Sequence, residues 1–224
     1  MTKNLTAFLC AVALLQFGYP VTLLGELWTA LYMLLYMGMI YFGVKIVRAQ
    51  PGWTAPFLAL AAVFFACAVW FALEQGSEAA RLGMSASLIA FQGHLIYSLL
   101  AFVFRRRRAP RIDLVLAAIS VYLLLGGLFA SAYGVIEALW PGSFHDTADP
   151  GGAVAWQQLM YGSYVTLATL GYGDVAPVAA WARSLSALEG VTGTLFITTV
   201  IARLVGAFTT PDGRGGGAPR EPRT

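Results

Sequence analysis

The residues best suited to chemistry form one short segment, Thr166 to Asp174, which reads TLATLGYGD. Glycine is used where the backbone must adopt a positive φ or approach another group closely. This segment has two glycines, Gly171 and Gly173, in a chain that is otherwise suited to lipid. Irregular backbone at membrane depth is tolerated where it is shielded by protein or lines a water-filled path. The segment from Thr169 to Gly173 is therefore expected to face water or ions.

The composition of the chain is that of a membrane protein. Of its 224 residues, 58% are hydrophobic and 11% are charged, whereas soluble domains carry about 25% charged residues. A helix needs about 20 apolar residues to cross a bilayer. Runs near that length occur at residues 5–24, 28–47, 55–73, 84–104, 113–139 and 179–209. We therefore predict an all-α membrane protein with six transmembrane helices.

The basic residues predict the orientation of these spans. Lys and Arg in short loops stay on the cytoplasmic side, and with six spans most of them fall on one side, including the run Arg105, Arg106, Arg107 and Arg108. Both termini are then cytoplasmic in a multi-pass protein of the cell membrane. The arginine run also suits anionic lipid head groups. The net charge of +3 reflects this topology and predicts no nucleic-acid partner.

The connection between the fifth and sixth spans is about 40 residues long. So long a connection in a compact protein is usually functional or disordered. Residues 140–152 are rich in turn formers and predict an exposed turret. Residues 153–167 are apolar and free of proline, which predicts a re-entrant helix too short to cross the bilayer, with Asp149 and Pro150 as its start signals.

The segment after this short helix resembles the pore signature of potassium channels, usually written TxxTVGYGD. The similarity continues without gaps, because Pro177, Trp181, Arg183 and Gly193 follow at spacings similar to those of bacterial two-span pores. It covers residues 113–209, whereas the first four spans resemble six-span members of the family only in number and orientation. The resemblance implies a pore helix and a selectivity-filter loop between spans five and six.

The resemblance also implies the ion-binding groups. Bound K⁺ would exchange its water for the threonine hydroxyl and for backbone carbonyls at Thr169, Leu170, Gly171 and Tyr172. Successive carbonyls face one side only if right-handed and left-handed backbone conformations alternate, and Gly171 and Gly173 remove the steric cost of the left-handed ones. Asp174 is expected at the outer mouth, held by a hydrogen bond from Tyr161, and Thr166 supports the filter.

One filter strand cannot surround an ion, so four copies of the chain are expected to assemble around a shared axis. The chain then divides into four parts. These are a four-helix transmembrane domain at 1–104, which resembles a voltage-sensor bundle without its arginines, a basic cytoplasmic linker at 105–112, a pore domain at 113–209 and a disordered cytoplasmic tail at 210–224.

Two residues of the sixth span are candidates for gating. Gly193 falls at the usual inner-helix hinge of the family, although a small residue that allows close helix packing explains it equally well. Glu189 is a carboxylate inside a span, and such a residue is a functional hypothesis by default. Thr166 or a neighbouring hydroxyl is its expected partner, and a purely structural tie is the alternative.

These patterns together predict passive, K⁺-selective conduction. Residues 84–104 contain no Lys or Arg, so voltage sensitivity is not expected. A membrane subunit of a K⁺ uptake transporter is an alternative, but such subunits carry several looser filter loops in one chain. A non-conducting membrane sensor with a channel fold is left open by the sequence. Because neither a metal-ligand cluster nor a nucleophile–base pair is recognisable, we expect no enzymatic activity.

Overall fold

The chain folds mainly into helices in the structure, a computed structural model that describes residues 2–48, 54–74, 77–105, 110–152 and 154–209. The helices and strands within these residues are α1 (Thr2–Phe17), α2 (Glu26–Val47), α3 (Thr54–Leu73), α4 (Glu78–Arg105), α5 (Arg111–Leu139), β1 (Phe144–Asp146), α6 (Trp156–Leu167), β2 (Val175–Pro177) and α7 (Ala180–Thr209). The prediction of a mostly helical protein is confirmed. The two short strands were not expected.

Four helices within the described residues, α3, α4, α5 and α7, are long and apolar enough to cross a membrane. They coincide with four of the six predicted spans. The helix α1 and the stretch Leu34–Val47 of α2 are shorter apolar helices. The count of six spans therefore stays a prediction.

The first helix ends earlier than its apolar run suggests. The run continues to residue 24, but α1 ends at Phe17 and a 3₁₀ helix, Tyr19–Leu24, follows it. Pro20 lies at the start of this 3₁₀ helix, and proline cannot donate the backbone hydrogen bond that would continue an α-helix. At 1.5 Å per residue α1 is about 24 Å long, which is shorter than the roughly 30 Å hydrocarbon core of a bilayer.

A continuous hydrophobic core joins the first five helices. Leu5 and Phe8 of α1, Phe91 of α4, and Val121 and Leu124 of α5 are all fully buried members of this core. The helix α5 packs against both α4 and α1. The core therefore crosses the predicted boundary between residues 1–104 and the pore domain, and the functional division stays a prediction.

Two adjacent glycines let α5 approach two other helices closely. A Cβ atom on Gly126 would lie 2.5 Å from the ring of Tyr164 in α6, and a Cβ on Gly127 would lie 2.5 Å from the side-chain amide of Gln16 in α1. Glycine inside a helix costs about 1 kcal/mol relative to alanine. The close approach on both sides of α5 accounts for the two glycines, since small residues allow helices to pack closely in membranes.

Part of the predicted turret forms a strand that pairs with another strand of the structure. Strand β1 pairs with β2 in an antiparallel register, with Phe144 opposite Pro177 and Asp146 opposite Val175. Phe144 is buried, and its ring lies 4.7 Å from that of Tyr133. The expectation of an exposed loop over residues 140–152 was wrong for this part, because a large aromatic side chain anchors the strand beside α6.

Near its C-terminal end, α7 is tied to the end of α4. The guanidinium group of Arg203 donates hydrogen bonds to the carbonyl oxygens of Val103, at 2.5 Å, and Phe104, at 3.2 Å. These carbonyls belong to the last turn of α4, where a positive charge is favourable. Of the predicted lipid-binding run, Arg105 ends α4, while Arg106, Arg107 and Arg108 lie outside the described residues, as does the predicted tail at 210–224.

We expect Gly126→Ala to destabilise the protein by about 1–3 kcal/mol, the usual cost of overfilling a packed interior. The ring of Tyr164 cannot easily move aside because its hydroxyl is bonded to the Leu123 carbonyl. Thermal unfolding of the purified protein in detergent measures the effect. The matched control is Gly134→Ala in the same helix, where the nearest atom to a new Cβ is 3.9 Å away. Equal melting temperatures for the two variants would contradict the packing described here.

Candidate functional site

The short helix α6 carries the residues that lead into the candidate segment. It contains 12 residues, which gives a length of about 18 Å and is too short to cross a bilayer. It begins at Trp156 without a side-chain cap, and Asp149 and Pro150 lie in the preceding turn. The start signals expected from the sequence were therefore misplaced by several residues, while the helix itself is present.

Hydroxyl groups fasten α6 to α5. Each bond joins a side-chain hydroxyl on one helix to a backbone carbonyl on the other, and such carbonyls retain a free lone pair within a helix. The pairs are Tyr164 to Leu123 at 2.6 Å, Ser163 to Gly126 at 2.7 Å and Tyr122 to Leu167 at 3.2 Å. The first two bonds originate on α6 and the third on α5, so α6 is held at its middle and at its end.

The segment after α6 has an alternating backbone. Thr169, Gly171 and Gly173 have φ values of 57°, 63° and 78°, whereas Leu170 and Tyr172 do not have positive φ. The left-handed conformation expected for the two glycines is confirmed. A Cβ atom added at either glycine would have no neighbour within 4 Å among the described residues. The glycines are therefore required by backbone conformation and not by crowding within the chain.

Thr169 extends the alternation by one residue, although it is not a glycine. Among the described residues it is the one non-glycine residue with a positive φ, and a β-branched side chain makes this conformation rare. The backbone amides of Thr169 and Leu170 donate to the carbonyls of Thr166 and Val165, at 3.0 and 2.8 Å. These bonds to the last turn of α6 hold the strained residue in place.

The carbonyl oxygens of residues 169–173 are available for other partners. None of the hydrogen bonds among the described residues is accepted by one of them. The side chains of Leu170 and Tyr172 are 56% and 67% exposed. The segment 169–173 thus presents backbone oxygens that no described residue satisfies, and oxygen ligands of this kind suit a hard cation such as K⁺.

Asp174, directly after the segment 169–173, is fixed by three contacts. The hydroxyl of Tyr161 donates to its carboxylate at 2.7 Å, and the amide of Val175 donates to the other carboxylate oxygen at 3.0 Å. The backbone amide of Thr147 donates to the Asp174 carbonyl at 2.8 Å. The Tyr161 bond holds the pKa of Asp174 below its ordinary value and raises the pKa of Tyr161 to about 12. The expected Tyr161–Asp174 hydrogen bond is present.

Glu189 lies fully buried where α5, α6 and α7 meet. Its two carboxyl oxygens lie within hydrogen-bond distance of the hydroxyl oxygens of Ser163, at 2.5 Å, and Tyr133. The hydroxyl of Thr166 instead donates to the Gly162 carbonyl of its own helix, at 2.9 Å. The partner is thus a neighbouring hydroxyl, as the sequence allowed, and not Thr166. Tyr133 was not expected, because no periodic pattern relates residues 56 positions apart.

Gly193 lies on α7 where this helix meets the end of α6. A Cβ atom there would clash with the carbonyl oxygen of Leu167. The helix continues through this position from Ala180 to Thr209. Of the two explanations that the sequence left open, this geometry favours close packing, and a role in gating is not tested by it.

We expect Tyr161→Phe to loosen the loop around Asp174, because the variant removes one of the three contacts and leaves the ring in place. Hydrogen–deuterium exchange followed by mass spectrometry measures this as faster exchange of the amides of Thr147 and Val175. The control is Tyr41→Phe on α2, whose ring is 56% exposed and which should leave these amides unchanged. Unchanged exchange in Tyr161→Phe would show that this hydrogen bond does not hold the loop.

Comparison with known proteins places the similarity in this part of the chain. A family model described as an ion channel matches residues 118–210. The inward rectifier potassium channel Kirbac3.1 of Paramagnetospirillum magnetotacticum is 34% identical over 96 residues, which cover 41% of this chain and 28% of that protein. No solved structure matches the chain significantly. The matches support an ion-channel family for the region that contains α5, α6 and α7.

Proposed function

We propose that this protein is a K⁺-selective ion channel that conducts passively. The observation that carries the proposal is the segment 169–173, in which left-handed residues alternate and the carbonyl oxygens accept no hydrogen bond from the described residues. Thr169, Leu170, Gly171 and Tyr172 would replace the water around K⁺, with the hydroxyl of Thr169 as an additional ligand.

The comparisons support the proposal at a coarser level. They point to an ion channel and to a protein that is not an enzyme, and the relative from Paramagnetospirillum magnetotacticum is named as a potassium channel. The matched region spans little more than a quarter of that relative. The ion, the selectivity and the assembly of this chain are therefore part of the proposal.

The chain is proposed to act as a homotetramer. One strand of carbonyls contacts an ion from one side, and rings of four such strands are the arrangement that replaces a full hydration shell. The exposed side chains of Leu170 and Tyr172 support this assembly, since neighbouring copies would cover them. The partial negative charge at the C-terminal end of α6, at Leu167, would favour a cation beside the strand.

One assay distinguishes the proposed channel from its two alternatives. A subunit of a K⁺ uptake transporter needs an energy source or further subunits, and a non-conducting sensor gives no flux at all. The assay uses proteoliposomes that contain only this protein and measures Rb⁺ and Na⁺ uptake. Passive Rb⁺ uptake with Na⁺ excluded supports the channel, whereas no uptake under any condition favours the sensor.

We expect Gly171→Ala to abolish selective Rb⁺ uptake in this assay. The added Cβ opposes the left-handed backbone by about 1 kcal/mol or more in each chain, while the space around the glycine is open. The matched control is Gly142→Ala in the turret, since Gly142 also has a positive φ of 83° and an open surrounding. It should conduct normally. Normal selectivity in Gly171→Ala would rule out residues 169–173 as the ion-binding segment.

We also expect the open probability to change weakly with voltage. Steep gating requires several charges per chain that move through the field, at about 2.3 kcal/mol per charge per 100 mV. Between residues 84 and 104, α4 carries no Lys or Arg, and Arg81 lies in its first turn. Single-channel recording across voltage measures the effective gating charge. A steep conductance–voltage curve would contradict this expectation.

A further inference from the structure

The hydrogen bonds around Glu189 involve more acceptors than hydrogens if its side chain is ionised. The hydroxyl oxygen of Ser163 lies 2.5 Å from Oε1 of Glu189 and 2.7 Å from the carbonyl oxygen of Gly126. A serine hydroxyl has one hydrogen, so it can donate to only one of these oxygens. The other contact would then bring two oxygens to hydrogen-bond distance with no hydrogen between them.

We propose that Glu189 is protonated and serves as a hydrogen-bond donor that positions α6. Its proton lies on Oε1 and is donated to Ser163, and Ser163 donates to the carbonyl of Gly126. Tyr133 donates to Oε2, as the structure has it. Each hydrogen then has an acceptor. Glu189, Ser163 and the carbonyl of Gly126 form a relay of hydrogen bonds that joins α7 to α6 and α6 to α5.

The surroundings of Glu189 support the neutral form. Its side chain is fully buried, and its partners among the described residues are hydroxyls, with no cation among them. Among the described residues, the titratable groups that interact with it electrostatically are tyrosines, Tyr122 and Tyr133 from α5 and Tyr164 from α6. An ionised carboxylate without a cationic partner is strongly unfavourable in such a place, and the protonated form removes this cost.

The location of the relay defines what it positions. Ser163 lies four residues, about one helical turn, before Leu167, where α6 ends. Glu189 lies four residues before Gly193, where α7 contacts the carbonyl of Leu167. The hydrogen bonds of Glu189 go to Tyr133 and Ser163 and not to residues 169–173, so it is a positioning residue for them. An effect on ion flux rests on the proposed function, whereas the protonation of Glu189 does not.

The test compares Glu189→Gln with Glu189→Ala in the full-length protein in lipid. The glutamine amide donates at one end and accepts at the other, so it reproduces the neutral acid. At neutral pH, infrared spectroscopy should detect a protonated carboxylic acid in the wild type that is absent from Glu189→Gln. Glu189→Gln should keep the wild-type melting temperature and its Rb⁺ flux within about twofold, whereas Glu189→Ala should lower both, the flux roughly tenfold, because two hydrogen bonds are lost.

A matched control is Glu137→Gln, because Glu137 accepts from the backbone amides of Gly142 and Phe144 near the surface and should leave the acid band unchanged. The absence of an acid band assigned to Glu189 overturns the proposal, and so does a Glu189→Gln variant as unstable as Glu189→Ala. The infrared comparison needs only the wild type and Glu189→Gln. If the infrared band and the melting temperatures agree with the proposal while the wild type gives no flux, the proposed function fails and the protonated Glu189 stands.

Discussion

A helix that enters a membrane without crossing it depends on its neighbours for the polar groups that lipid cannot satisfy. The helix α6 is such an element in the proposed channel, and its hydroxyls find partners on both adjacent helices. Ser163 and Tyr164 bond to backbone oxygens of α5, and Ser163 also meets Glu189 of α7. The segment 169–173 continues directly from this helix, so its position follows from these bonds.

The same contacts explain why glycine is placed where it is. Gly126 admits the ring of Tyr164, and Gly193 admits the carbonyl of Leu167, so α6 fits between α5 and α7. Gly171 and Gly173 have a different reason, since their surroundings are open and their φ values are positive. Glycine therefore has two roles around α6: its small size allows the helices to pack closely, and its backbone freedom allows the positive φ values after the helix.

The sequence was informative where the constraint is local. A positive φ at Gly171 and Gly173 and the short helix before them follow from residue types at short separation, whereas the Tyr161–Asp174 bond was expected from the resemblance to potassium-channel pores. The positive φ of Thr169 was not expected, because a β-branched residue gives no sign of a left-handed backbone.

The sequence was less informative where partners lie far apart along the chain. The strands β1 and β2 have three residues each, too few for an alternating pattern, and their pairing depends on Phe144 packing against Tyr133. The partners of Glu189 depend on how three helices rotate against one another, which no spacing within one helix specifies. Likewise, the need for glycine at positions 126 and 127 of α5 is evident only from the positions of α1 and α6 beside them.

The packing of α1 has a consequence for the order in which the chain acquires its structure during synthesis. The helix α1 is made well before α5, which begins at Arg111, and yet it packs against that helix. Thr22, just after α1, accepts a hydrogen bond from Gln157 of α6, 135 residues later in the chain. Contacts between such distant residues form late, because a long loop must close first. Although α1 is synthesised early relative to α5 and α6, its surroundings are thus complete only after both of those helices have been made.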